Sequence, residues 1–184
     1  MTRLRLALVA VVVSTLVSAC FDGDDKIESN WTIPEARQFN DFPLYWVGMD
    51  YEGLPLTAVT HYEGGVLETV AFVYGDSSCN DSGCRAPIYI QIHPYCDSSP
   101  ESVRSFLGAL ESAGYKTSVT EVRGVSGYLT DVPRIYLWTG SSAIEIDGDV
   151  GGPSVQKAAR ELIPLSEDLL GGKDPLPPPT TTEC

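Results

Sequence analysis

Two kinds of hydrophobic pattern run through the middle of the chain. Ile88-Tyr89-Ile90-Gln91-Ile92-His93 alternates apolar and polar residues strictly, and a further strand over 142–147 puts Ile144 and Ile146 on one face. That period of two marks strands with one buried face. In 100–113, Val103, Phe106, Leu107 and Leu110 instead fall at i, i+3, i+4 and i+7, the stripe of an amphipathic helix. Ser99 is placed to cap it, Pro100 suits the first helical position, Glu101 complements the positive end of the dipole, and Gly114 ends it. A second helix is predicted over 154–163 from Val155, Ala158, Ala159, Leu162 and Ile163, with Pro164 as its stop.

Further strands are expected at 44–47, 116–123, 127–130 and 134–139. A hairpin is expected from 57–62 and 66–74 around Glu63-Gly64-Gly65, and another at Gly140-Ser141. Residues 75–86, rich in Asp, Ser and Cys, read as a loop. The order predicts an α+β fold, an antiparallel or mixed sheet with two helices packed on one face. A hairpin-like pair precedes a helix in both halves, so a duplicated ββα unit is an expectation. If the isoleucines point at the helices, Tyr89, Gln91, His93, Tyr136, Trp138, Glu145 and Asp147 face away. Tyr89, His93, Tyr136 and Trp138 then form a candidate binding face, suited to a protein or a glycan. The plainer alternative is that Tyr136 and Trp138 cover the second face beneath the N-terminal segment, joined by Trp46.

The chain ends read differently. Arg3 and Arg5 precede an apolar run over 6–17, too short to span a bilayer, which needs about 20 residues, and small residues follow it. These are the parts of a secretory signal peptide. Val17-Ser18-Ala19-Cys20 resembles the lipobox of bacterial lipoproteins: aliphatic, small, small, cysteine. The resemblance covers the first twenty residues. It implies cleavage after Ala19, a thioether-linked diacylglycerol on Cys20 and room for a third acyl chain on the new amino group. Two or three chains hold a protein firmly on a membrane, here at the outer face of the cell membrane. An ordinary signal peptide or an uncleaved anchor are the alternatives. Residues 20–40, polar and acidic, read as a flexible tether, 41–168 as one domain, and 169–184 as a Pro-rich tail, extended or disordered.

Composition sharpens this. Losing the signal removes Arg3 and Arg5, leaving 10 basic against 25 acidic residues in 165, a formal charge of −15. Such a field repels nucleic acid and anionic headgroups. No phosphate loop, dinucleotide fingerprint or G-x-S-x-G elbow occurs, so no cofactor is expected. Asp147-Gly148-Asp149 opens like a calcium loop, but position twelve is Ala158 where a bidentate Glu is needed.

Outside the cytoplasm, disulfides are the default for Cys79, Cys84, Cys96 and Cys184. Cys84 and Cys96 bracket the 88–93 strand, whose ends stand roughly 20 Å apart, whereas bridged Cα atoms lie within about 7 Å. Cys79–Cys84 is therefore the expected bridge, leaving Cys96 for Cys184 or free. A zinc set of Cys79, Cys84, His93 and Cys96 has suitable ligand types but no standard spacing.

The phrases Phe42-Pro43-Leu44-Tyr45-Trp46-Val47-Gly48, Tyr51-Glu52-Gly53-Leu54-Pro55-Leu56-Thr57 and Val73-Tyr74-Gly75, followed by the Cys-bearing loop, resemble a group of exported actinobacterial proteins of uncharacterised function. The resemblance spans about 42–96 and implies export but no activity. The sequence thus predicts a lipid-anchored extracytoplasmic domain, a non-catalytic binding or envelope-associated module. The alternative is an exported hydrolase or metal-handling protein using His93 and Asp147.

Overall fold

The computed structural model describes residues 26–63, 68–76, 78–80, 83–95, 99–166 and 174–180. In chain order the elements are β1 (Lys26–Asn30), α1 (Ile33–Ala36), β2 (Tyr45–Trp46), β3 (Asp50–Tyr51), β4 (Leu54–Glu63) and β5 (Thr69–Tyr74). Then come β6 (Ser78–Asn80), β7 (Gly83–Arg85), β8 (Ile88–Pro94), α2 (Pro100–Ser112), β9 (Thr117–Val122) and β10 (Val125–Thr130). The chain closes with β11 (Arg134–Thr139), β12 (Ser142–Gly148), α3 (Val155–Glu161) and β13 (Ile163–Pro164). The main sheet runs β1-β4-β5-β8-β12-β11-β10-β9, with β3 added on β4 and every pairing antiparallel. The expected α+β class and antiparallel sheet are what the chain forms.

The register explains the core. Ile92 lies opposite Ile144 and Val70, Ile90 opposite Ile146 and Phe72, and Leu137 opposite Ile144. Partners directly across an antiparallel ladder share a face, so the alternation of four strands builds one apolar surface whose members are all but sealed from solvent. Phe42, Leu44, Trp46 and Tyr51 cover it from the N-terminal side, α3 and Leu162 from the C-terminal side. Ser154 caps α3 by accepting from the Lys157 amide, and the small Ala158 and Ala159 let the helix lie close. Gly148 is required by the same approach: a Cβ there would stand 2.8 Å from Val155 Cγ1.

Helix α2 goes to the other face. Ser99 caps it as expected, accepting from the Ser102 amide, but Phe106 packs edge-on against Tyr136 at 4.9 Å and Trp138 at 5.6 Å. The expectation of two helices on one face is therefore corrected: α2 and α3 sandwich the sheet. The reason lies in β11, where Ile135 and Leu137 bury one side and Tyr136 and Trp138 the other, so both faces carry enough apolar area to recruit a helix. Strand order is symmetric about the β8–β12 boundary, yet a two-fold axis normal to the sheet would put both helices on one face. The duplicated ββα unit gains nothing from this arrangement.

Both ends of the domain reach further than composition suggests. Residues 26–40, expected as tether, contribute β1, paired with β4, and α1. The latter is closed by a capping box in which Thr32 and Glu35 bond each other's backbone amides; burial of Ala36 seats it. Of the Pro-rich tail, residues 174–180 are docked on the domain. Leu176 is buried, its amide donates to Arg123 O at 3.0 Å, and Pro177 O accepts from Thr139 Oγ1 at 2.7 Å. The Arg123 guanidinium adds bonds to Asp174 O and Leu162 O. Proline has no amide to donate, but its carbonyl still accepts, which is how this tail is held. Leu176→Ala is expected to cost about 2–3 kcal/mol, the low end for a buried leucine because a tail can relax, as read by urea denaturation. No change would mean the strap is not docked in solution.

Candidate functional site

On the face under α2 the register lays out three rows across β11, β12 and β8. Trp138, Ala143 and His93 form the first, Tyr136, Glu145 and Gln91 the second, and Arg134, Asp147 and Tyr89 the third. Successive rows are two residues apart, roughly 7 Å. The four residues anticipated as a binding face thus share one surface. His93, Tyr136 and Trp138 come together around a pocket of about 230 Å³, completed by Glu145, Phe106 and Tyr95. Tyr89 belongs to the third row and does not line it. No residue of α2 is buried, so the helix roofs the pocket without sealing it. The alternative cover is corrected as well: Trp46 lies on the isoleucine side, 6.3 Å from Phe72, and α2, not the N-terminal segment, covers Tyr136 and Trp138.

Charge enters from the second and third rows. Arg134 Nε donates to Asp147 and stands 3.1 Å from Glu145 Oε1. Arg134 Nη1 donates to Tyr136 Oη at 3.1 Å, and that hydroxyl donates to Glu145 at 3.4 Å. Two carboxylates therefore share one guanidinium. Burial, reinforced by the charge of Asp147, pushes the Glu145 carboxyl up to about 7, while Arg134 draws it only partly back. Burial alone would lower Arg134, but its bonds to Asp147 and Tyr136 reverse the sign and fix its charge. Tyr136 is raised to about 12 by burial and by Glu145, and Tyr89 upward chiefly by burial, so both stay neutral phenols. His93, its Nδ1 2.9 Å from Thr69 Oγ1, is lowered by burial and stays neutral at physiological pH.

His93 and Asp147 are not brought together. They lie two rows apart, roughly 13 Å along the strands, too far for one proton relay. His61, the other histidine, projects to the isoleucine side, stacked against Trp31 at 4.2 Å and bonded to Glu68 at 2.7 Å. Among the described residues no three His, Cys, Asp or Glu side chains gather to hold a metal, and no helix is long and apolar enough to cross a membrane. The 75–86 loop contains the β6–β7 hairpin, whose register sets Cys79 opposite Cys84; facing Cα atoms in such a ladder stand about 4.5–5.5 Å apart, within disulfide range. Cys20, Cys96 and Cys184 lie outside the described residues.

Glu145, which the alternation already placed on this face, joins the site, and Arg134, Phe106 and Tyr95 complete it. For Arg134 the signal was available, since it shares parity with Tyr136 and Trp138. Phe106 carried only its helical stripe, which does not say what the stripe covers. Comparison with protein-family models, with curated proteins and with solved structures finds no match for this chain.

Proposed function

We propose that the protein is a non-catalytic binding module, held at the outer face of the cell membrane by acyl chains on Cys20. The observation that carries the binding half is the aromatic pocket under α2, a concave site left open where a helix crosses a sheet face. The anchoring half rests on the signal and lipobox pattern of the first twenty residues. Against catalysis stand the spacing of His93 from Asp147 and the engagement of both carboxylates by Arg134. The ladder partners Cys79 and Cys84 form a bridge that closes the β6–β7 hairpin, and Cys96 and Cys184 are the remaining pair.

Anchoring is tested by growing cells with a labelled fatty acid. The wild type is expected to take up label and Cys20→Ala to lose essentially all of it, remaining as the larger, unprocessed precursor. Equal labelling of both, or of neither, refutes the anchor. Intact mass under non-reducing conditions reads the bridges, and a stoichiometric metal lost on His93→Ala would replace the binding reading by the metal-handling one.

A further inference from the structure

The pocket under α2 also carries a reading of what it binds, which rests on the binding module proposed above. We propose that it takes a small free organic cation, a quaternary or alkylated ammonium ion, seated among Tyr95, Phe106, Tyr136 and Trp138 with Glu145 as its counter-charge.

Four features converge on that class. The rings meet steeply, Phe106 at 76° to Tyr136 and 81° to Trp138, and Tyr95 at 57° to Trp138. Rings at steep angles stand on more than one side of the pocket, so a compact cation can meet the aromatic surface they leave open, whereas a sugar ring needs a flat platform. About 230 Å³, at roughly 30 Å³ for each water-sized group, holds about seven non-hydrogen atoms, the size of choline. Among the described residues the polar lining is limited to His93, Glu145, Tyr95, the engaged Tyr136 hydroxyl and Trp138 Nε1, which has no hydrogen-bond partner there, few groups for the several hydroxyls of a saccharide.

The charge balance then selects the sign. Arg134 neutralises one of two carboxylates, Asp147 lies in the row beyond the pocket, and the uncompensated charge falls on Glu145, which lines it. An anion would meet Glu145 directly, and a purely apolar guest would leave the net negative charge of the Arg134–Asp147–Glu145 group unbalanced. Among the described residues nothing charged on the roof competes. The half-buried positions of α2 are Ser102, Val103, Phe106, Leu107 and Leu110, while Glu101, Arg104 and Glu111 point to solvent. Gln91, across from Glu145, is uncharged, and His93 is neutral.

The experiment is calorimetric titration of the full chain in a non-ionic detergent with choline and with 3,3-dimethylbutan-1-ol, its neutral carbon isostere. Choline is expected to bind about tenfold tighter at pH 8, the range of a desolvated cation–π contact with a counter-ion. Because Glu145 must be ionised to hold the cation, choline affinity should fall about tenfold between pH 8 and pH 6, while the isostere shows no such dependence. Glu145→Gln should bring choline down to the level of the isostere and remove the pH dependence. Equal binding of the two compounds to the wild type, binding of neither, or unchanged choline affinity in Glu145→Gln overturns the proposal. Phosphatidylcholine vesicles form a second arm: capture by them beyond that by phosphatidylglycerol vesicles, which the acyl chains enter equally, without binding of free choline overturns the free ion as ligand. Failure is separable from that of the anchor. If Cys20 is labelled but choline and its isostere bind alike, only the ligand class falls; if labelling fails, the titration still stands.

Discussion

Trp46→Ala is expected to remove about 3–5 kcal/mol of stability, the range for deleting a fully buried aromatic side chain. Only 2 % of Trp46 is exposed. It sits on the two-residue β2, opposite Ile163 of β13, and its indole reaches Phe72 on the sheet. The side chain therefore joins three segments distant in sequence: the N-terminal cover, the exit of α3 and the centre of the main sheet. Removing it leaves a cavity that two short strands cannot collapse around, because each is fixed by the other. Domains of this size hold about 5–15 kcal/mol in total, so the variant should lie close to its unfolding threshold at physiological temperature. Among the described residues the buried indole Nε1 has no hydrogen-bond partner, so Trp46→Phe forfeits no bond there and should cost only about 1 kcal/mol. Guanidinium denaturation of both variants checks the pair, and a loss below about 1 kcal/mol for alanine would mean that the β2–β13 layer is not part of the cooperative core.

Glu145→Gln should do the opposite above neutral pH and stabilise the protein. The folded-state carboxyl is raised to about 7 from an ordinary 4.5, so the fold favours the protonated form. Between those values the native state holds more protons than the unfolded chain, and stability contributed by this group falls as pH rises. Its contribution is fully present below about pH 4.5 and lost once pH has passed 7. Glutamine mimics the protonated acid at every pH. The variant should therefore match the wild type below pH 4.5, draw ahead through the window, and lead by up to about 3 kcal/mol at pH 8. Urea denaturation at pH 4.5, 6 and 8 reads the difference. A constant gap across the three, or a destabilised variant at pH 8, contradicts the burial of an excess carboxylate beside Arg134.

The elements that local pattern could specify came out where the pattern put them. Alternation over 88–93 became β8, Ser99 and Pro100 opened α2, Ser154 opened α3, and Gly140-Ser141 turned the β11–β12 hairpin. A face of mixed aromatic and polar residues was likewise legible from parity alone, which is why His93, Tyr136 and Trp138 meet in space. What parity cannot supply is the partner of each face. The stripe of α2 satisfies the same period whichever side of the sheet it covers, and with Tyr136 and Trp138 on one side and Ile135 and Leu137 on the other, β11 accepts either. The acidic N-terminal stretch and the proline tail misled for a related reason. Composition measures how much apolar area a segment brings, whereas Ala36 and Leu176 each show one residue locking a polar segment onto a surface built elsewhere. The T-x-x-E capping box at Thr32 was the one local sign of order in the expected tether.

If Cys20 carries the proposed acyl chains, the position of β1 sets how high the domain would ride above a bilayer. Lys26, the first residue of that strand, follows Cys20 by six residues, a span of at most about 20 Å. With Cys20 lipidated, the mooring is short, and the sheet hangs from its β1 border. Seven strand spacings, roughly 34 Å, separate that border from β9, where Val119 is 73 % exposed. The two edges of the sheet would then face different surroundings. On that reading one would be crowded by headgroups and screened from neighbouring copies, while the outer edge of β9, which no strand pairs among the described residues, is the side on which strand-to-strand association between molecules would begin.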